Sequence, residues 1–177
     1  MARRLAPLAC TLALLASVAA LLPAGASAKG THQSAALTVD LGILQQLNQI
    51  RVAHHLHPLS LCPNLSAAAM LHTRDMLAKG YFAHNSSNGQ PFWRRIQAFY
   101  PEPRYGTWSV GENLFWTSGA ATAPGSMKAW MASPDHRANI LDPTWRQIGI
   151  ATVSSPSAPG TYANLGVTVI TTDFGVR

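Results

Sequence analysis

Cysteine is scarce in this sequence, which has only Cys10 and Cys62 among its 177 residues. Cys10 falls in an apolar N-terminal segment that we expect to be removed, so the mature chain keeps one thiol and forms no intramolecular disulfide. In an exported protein such a thiol is buried, paired with another chain or reactive. We favour burial, because free cysteine packs like a small apolar residue.

Charged residues are also few, at 11% of the chain, and they form no cluster. The net charge is +6, of which two positive charges lie in the N-terminal segment. The nearest thing to a basic patch is Arg94-Arg95, with three other arginines scattered along the chain. Nucleic-acid binding needs a contiguous basic face. We therefore expect a solvated surface and no nucleic-acid partner.

One long apolar run, from Leu5 to Leu22, follows two arginines at the start of the chain. After it comes Ala26-Ser27-Ala28, the small-residue pattern at which signal peptidase cleaves. Together they predict a signal peptide over residues 1–28 and a secreted, extracellular protein. The alternative is an uncleaved anchor, since the run approaches the roughly 20 residues that span a bilayer. The cleavage pattern argues against it, and no stable membrane insertion is expected after cleavage.

The rest of the chain has the size of a single domain, without internal repeats. Residues 29–39 are small and polar, which predicts a flexible leader. The domain is expected over residues 40–177, with Asp40 as the N-cap of its first helix. We expect a monomer, and the sequence names no protein partner.

Apolar spacing of three and four residues predicts helices in the first two thirds of the domain. β-branched residues predict a hairpin near its end, and this order favours an α+β layered domain. The predicted helices run from Asp40 to about His55, from a cap at Asn64 to Gly80, from Pro91 to Phe99, from Ala123 to Ser133, and onward from Pro134. The hairpin strands are Ile148–Val153 and Tyr162–Thr171, while Val110–Trp116 is a strand or a loop.

His84, Glu112 and His136 are the candidate functional residues, each in a loop-like or helix-start context. Two imidazoles and a carboxylate suffice for an open divalent-metal site. Their separations of 28 and 24 residues mean that only the fold can bring them together, and each could instead have a structural role. A second group, His54, His55 and His57, is expected to be surface, because adjacent residues cannot face one side of a helix.

Four ordered sequence blocks surround the candidate residues. They are Phe82-Ala83-His84-Asn85-Ser86, Val110-Gly111-Glu112-Asn113-Leu114, Ala129 to Leu141 (AWMASPDHRANIL) and Ile148-Gly149-Ile150-Ala151. This series resembles the CAP superfamily, also called the SCP or PR-1-like family, and in particular its short secreted bacterial members. The resemblance extends over residues 40 to 174.

The resemblance implies an α-β-α sandwich with a central antiparallel sheet and a cleft where two His and two acidic residues gather. His84, Glu112 and His136 would take three of those places. Ser133 occupies the fourth, where many eukaryotic members have a Glu, so a mechanism that needs two carboxylates is in doubt. We also expect Ser133 to cap a helix, and Asn113, Arg137 and Asn139 to support the cleft, the last two mainly as anchors.

Three functions are compatible with this sequence. The favoured one is a non-catalytic binding module whose cleft takes Zn²⁺ or another divalent cation and a small or lipidic ligand, with no organic cofactor. The aromatic loop from Tyr100 to Trp108 is the expected counterpart of a lipid groove. The second is a metal-dependent, protease-like hydrolase that uses His84 or His136 as a base, with Glu112 as its partner and water or Ser133 as nucleophile. The third is an interaction protein with a vestigial cleft.

Overall fold

The computed structural model describes residues 24–177. The helices within this range are α1 (Ala24–Ala53), α2 (Pro63–Lys79), α3 (Phe92–Phe99), α4 (Ala123–Ala132) and α5 (Pro134–Ile140). The strands are β1 (Ser60–Leu61), β2 (Ser109–Ser118), β3 (Gln147–Ala158) and β4 (Leu165–Val176).

These strands form one sheet in the order β1-β3-β4-β2. The three long strands are antiparallel, as predicted, and the predicted hairpin joins β3 to β4 through a 3₁₀ turn at Gly160–Tyr162. The two-residue β1 was not predicted, and it pairs in parallel with β3 at the opposite edge from β2. The long strand β2 therefore forms one edge of the sheet.

Helices cover both faces of the sheet. On one face α2 packs across β3 and β4 and α3 packs on α2, while on the other α1 lies against β3 and α4. The predicted sandwich is confirmed. Its main core lies on the α1 face and includes Ile43, Trp130, Trp145, Ile170 and Phe174, all buried.

The close packing of α2 on the sheet depends on Gly149 in β3. A Cβ atom at this position would lie 2.1 Å from the carbonyl carbon of Leu65 and from the backbone nitrogen of Ser66. No other residue can bring the first turn of α2 this near to the sheet. The helix ends as predicted at Gly80, which adopts the left-handed conformation with φ of 71°.

Two predicted helix starts are wrong. Residues 29–39 are helical, not irregular, because α1 begins at Ala24, and Asp40 instead accepts a hydrogen bond from Thr152 Oγ1 at 2.6 Å. This stretch holds no proline, and its single Gly30 costs a helix only about 1 kcal/mol. In α2, Pro63 takes the first helical position, so Cys62 and not Asn64 is the N-cap residue.

Several sequence predictions of burial are confirmed. Cys62 is buried beside Leu65 and Tyr100, and both Trp130 and Trp145 are buried. Most of the predicted signal peptide, residues 1–23, lies outside the described residues, so its cleavage stays a prediction. None of the helices within residues 24–177 has the length and apolar character needed to cross a membrane.

Candidate functional site

The three candidate residues meet at the outer edge of β2, where the two helical layers approach each other. His84 lies in the loop between α2 and α3, Glu112 on β2 and His136 on α5. All three line one cleft of about 710 Å³. The fold thus brings together three residues whose spacing in the sequence did not predict that they would be close.

Glu112 lies at the centre of this arrangement, and its side chain is fully buried. Its Oε1 atom accepts a hydrogen bond from Nδ1 of His84 at 2.8 Å. Its Oε2 atom forms an ion pair with the guanidinium of Arg95, and Nε2 of His72 lies 4.0 Å away. Both carboxylate oxygens therefore contact protein side chains, so Glu112 is placed to orient the ring of His84.

His84 presents a neutral imidazole to the cleft. The 2.8 Å ion-pair distance to Glu112 would favour imidazolium, but burial and the charge of Arg95 lower the pKa of His84. Because Arg95 already neutralises Glu112, a lowered pKa of His84 is consistent with its contact with Glu112. Neutral His84 must then donate from Nδ1–H to Glu112, which leaves Nε2 with a free lone pair.

His136 faces the same cleft and is anchored through its backbone. Its carbonyl oxygen accepts a hydrogen bond from Asn113 Nδ2 at 3.1 Å, and Asn139 Nδ2 donates to Asn113 Oδ1 at 3.0 Å. The imidazole itself hydrogen-bonds no residue within 24–177. Burial, and then the nearby His84, lower the pKa of His136. Two neutral imidazoles thus line the same cleft.

Two residues of the site were missed by sequence reasoning. Arg95 was assigned to a solvated surface, yet it is only 7% exposed. Asp173 pairs across the sheet with Glu112 and is fully buried, and burial raises its pKa well above the ordinary 3.8. The sequence offered one signal for each residue. Arg95 lies on the apolar face of α3, and Asp173 is a lone carboxyl in a strand rich in β-branched residues.

The supporting residues divide into those at the cleft and those away from it. Ser133 lines the cleft and is the N-cap residue of α5, as predicted, but its side chain makes no capping hydrogen bond. Asn139 is an anchor, as its contact with Asn113 shows, and it also accepts from Trp145 Nε1. Arg137 is exposed and lines a separate groove beside Met131.

The aromatic loop from Tyr100 to Trp108 does not present its aromatic side chains as a ligand groove. Tyr100 is fully buried, and Trp108 Nε1 donates to its carbonyl oxygen at 2.9 Å. Tyr105 is 80% exposed and lies beside Arg104. Two of the three aromatic side chains thus serve packing around the end of α3.

A metal ion would find two imidazole ligands in the cleft. Within residues 24–177, no group of three or more His, Cys, Asp or Glu side chains is arranged to hold a metal ion. Neutral imidazoles suit Zn²⁺ and similar divalent cations, so the donor set of His84 and His136 fits, with water or a ligand completing the coordination. The predicted metal site, including Glu112 as a ligand, stays a prediction.

Comparison with known proteins agrees with these motifs. A family model, described as CAP, the cysteine-rich secretory protein family, matches residues 44–170. YkwD of Bacillus subtilis (strain 168) is 34% identical over 139 residues, which make up 76% of this chain and 51% of YkwD. The chain therefore spans about half the length of that relative.

Solved structures with low identity share the fold. An extracellular protein containing a SCP domain from Bacillus anthracis str. Ames gives a TM-score of 0.61 at 21% identity, covering 84% of this chain and 42% of that one. An outer surface protein from Borrelia burgdorferi gives 0.57 at 17% identity, covering 76% of this chain and 90% of that one. Both support the mixed α/β architecture described above.

Proposed function

We propose that this chain, which belongs to the CAP (cysteine-rich secretory protein) family, is an extracellular binding module that holds a divalent cation between His84 and His136. The two structural relatives are described as an extracellular protein and an outer surface protein. Together with the predicted signal peptide over residues 1–28, they support the same location here. The cleft then meets the extracellular medium.

The observation that carries the proposal is the support of His84 by Glu112. Metal-binding histidines commonly donate their second ring N–H to a carboxylate, which sets the tautomer and the orientation of the ring. His84 has this arrangement through the 2.8 Å contact of its Nδ1 atom. The lowered pKa values of His84 and His136 keep both rings free of a competing proton at neutral pH.

A cation bound here would supply a positive charge to which polar groups of a small ligand can attach. The cleft walls add Asn113, Ser133 and Asp135 as polar contacts and Phe92 as an apolar one. A polar or anionic small molecule suits this lining. A lipidic ligand has less support, because Tyr100 and Trp108 are used for packing.

Calorimetric titration of the exported protein with Zn²⁺ tests the proposal. The parent is compared with the His84→Ala/His136→Ala variant, which removes both imidazoles from the cleft. The matched control is His54→Ala/His55→Ala/His57→Ala, because these exposed histidines could bind zinc adventitiously. Circular dichroism of each variant establishes that it is folded.

We expect the parent and the control triple variant to bind one Zn²⁺, and the cleft double variant to lose that binding. Loss of binding in the control, with binding kept in the double variant, would move the zinc to the surface histidines and refute the proposal. Absence of binding by the parent at micromolar zinc would refute it as well.

The hydrolase alternative has one observation in its favour. Ser133 lines the cleft, and its hydroxyl group hydrogen-bonds no residue within 24–177. Nucleophilic catalysis needs a base within hydrogen-bonding reach of the hydroxyl, and no such contact with His84 or His136 is present. The binding function is therefore preferred.

A further inference from the structure

A second cavity, of about 340 Å³, lies between α2 and α3, and the loop that joins the two helices forms its third side. None of its lining residues lines the cleft that holds His84, Glu112 and His136. Pockets that take small molecules commonly have volumes of about 300–1,000 Å³. The cavity is therefore large enough for a small ligand of its own.

One part of this cavity is apolar. Leu71 of α2 is 52% exposed there, although leucine is a residue that folding usually buries. Across from it, Phe99 of α3 is half-buried and Ala98 is exposed. An apolar group placed between the two helices would cover these three side chains. Removing their surface from water would favour its binding.

The other part of the cavity carries a positive charge that the protein does not balance. Asp75 is the acidic residue of the lining, and its carboxylate pairs with Lys79 Nζ at 2.9 Å. Arg94 stacks on the ring of Trp93 and donates to Gln97 Oε1 at 3.5 Å. Among residues 24–177 no carboxylate forms an ion pair with Arg94, so its charge remains available to an anion.

Arg95 also lines the cavity, and one of its hydrogen-bond donors is unused. Its Nη2 atom pairs with Glu112, while Nη1 donates to the His84 carbonyl oxygen at 3.2 Å and to Ser86 Oγ at 3.4 Å. Its Nε–H is buried and has no hydrogen-bond partner in the part of the chain that the structure describes. Buried donors are rarely left unpaired, because the missing hydrogen bond destabilises the protein. An oxygen atom of a ligand would supply the acceptor.

We propose that the cavity between α2 and α3 is a binding site for a small organic carboxylate. The carboxylate pairs with the guanidinium of Arg94 and accepts from Arg95 Nε–H, while the apolar part of the ligand packs on Leu71 and Phe99. A carboxylate suits the site because the planar N–H donors of a guanidinium match its two oxygens. The site does not depend on the cation proposed for the cleft, so the metal-free protein can be used to test it.

The test is an NMR titration of the metal-free exported protein with phenylacetate, which joins a carboxylate to an apolar ring. Phenylacetamide has the same shape without the charge, and acetate has the charge without the ring. The backbone amide shifts of α3 and of residues 86–88 report binding in the cavity. Those of α5 report binding in the cleft.

Two pairs of variants locate the ligand. Arg94→Gln removes the unpaired cation, and its matched control is Arg74→Gln, an exposed arginine of α2 that lines a different groove. Leu71→Ser removes an apolar contact, and its matched control is Leu41→Ser on α1, because Leu41 is 51% exposed. All four side chains are exposed, so each variant should fold, which circular dichroism checks.

We expect phenylacetate to give saturable shifts in α3 and in residues 86–88. Phenylacetamide and acetate should each bind at least about tenfold more weakly, since one lacks the charge and the other the apolar group. Arg94→Gln should weaken phenylacetate binding about tenfold, as the loss of a charged hydrogen bond does. Leu71→Ser should weaken it about threefold through lost apolar contact, and both control variants should bind as the parent does.

Equal binding of phenylacetate and phenylacetamide would overturn the inference, because the charge would then play no part. Shifts confined to α5 would place the carboxylate in the cleft and overturn it as well. So would an Arg74→Gln variant that weakens binding as much as Arg94→Gln, since general surface charge would then explain the attraction. Absence of saturable shifts at millimolar phenylacetate would likewise refute the site.

Discussion

The wall of the cleft that carries His84 is anchored by buried charge, whereas the wall that carries His136 is anchored by neutral amides. His84 is tied to Glu112, which is in turn held by Arg95 within the sheet and the α2 layer. Among residues 24–177, nothing hydrogen-bonds the His136 ring, and Asn113 donates to the His136 carbonyl oxygen. The first arrangement sets the ring and its tautomer, while the second sets only where α5 lies.

Arg95→Met should produce the largest effect, because it removes the cation from the buried carboxyl pair. Breaking a buried ion pair from one side costs about 3–5 kcal/mol, and we expect that loss of unfolding free energy in urea at neutral pH. Arg94→Met is the matched control; this neighbouring side chain stacks on Trp93, and its loss should cost within about 0.5 kcal/mol.

The effect of Arg95→Met should also depend on pH. The folded-state pKa of Glu112 already lies above its ordinary 4.5, so its contribution to stability is complete below that pH and is lost as pH rises. Removing Arg95 raises the folded-state pKa further. The destabilisation should therefore be small near pH 4.5 and grow toward neutrality, and a pH-independent loss would contradict the buried-charge description.

Asn139→Ala should have an intermediate effect, confined to the other wall. Asn113 loses the donor to its Oδ1 atom, so α5 is held less firmly, at a cost of about 1–2 kcal/mol. Zinc affinity should fall a few-fold while the His84 tautomer stays unchanged. Chemical denaturation and NMR measure the two quantities, with Asn88→Ala in the exposed loop as control. A change in the His84 tautomer would show that the walls are not independent.

Ser133→Ala should have the smallest effect. Its hydroxyl neither caps α5 nor bonds any residue within 24–177, so stability should change by no more than about 0.5 kcal/mol and zinc affinity should not change. Thermal unfolding and calorimetry check both. A loss near about 1 kcal/mol, typical of a helix cap, would restore the capping role predicted from the sequence.

The fold followed largely from local patterns. Apolar spacing located α2 to α5, and the β-branched runs located the β3–β4 hairpin, because burial on one face imposes the period of the element. The start of α1 was misplaced, since nothing in residues 29–39 except the single Gly30 opposes a helix. The two-residue β1 was missed, because it exists only through its pairing with β3.

The candidate site likewise has residues that the sequence predicted and residues that it did not. The sequence blocks identified His84, Glu112 and His136, and these residues do line one cleft. They did not identify Arg95 as the buried partner of Glu112. The place of Arg95 on the apolar face of α3 distinguishes it from Arg94, but only the docking of α3 brings it to Glu112.

By itself, the sequence determined α2 to α5, the β3–β4 hairpin, the family motifs and the two histidines of the cleft, because each depends on residues near one another in the chain. The tertiary structure alone decided that Asp173 lies beside Glu112, since the two are far apart in the chain and directly paired across the sheet. Strand register sets that pairing, and burial raises the pKa of both carboxyl groups once they lie side by side.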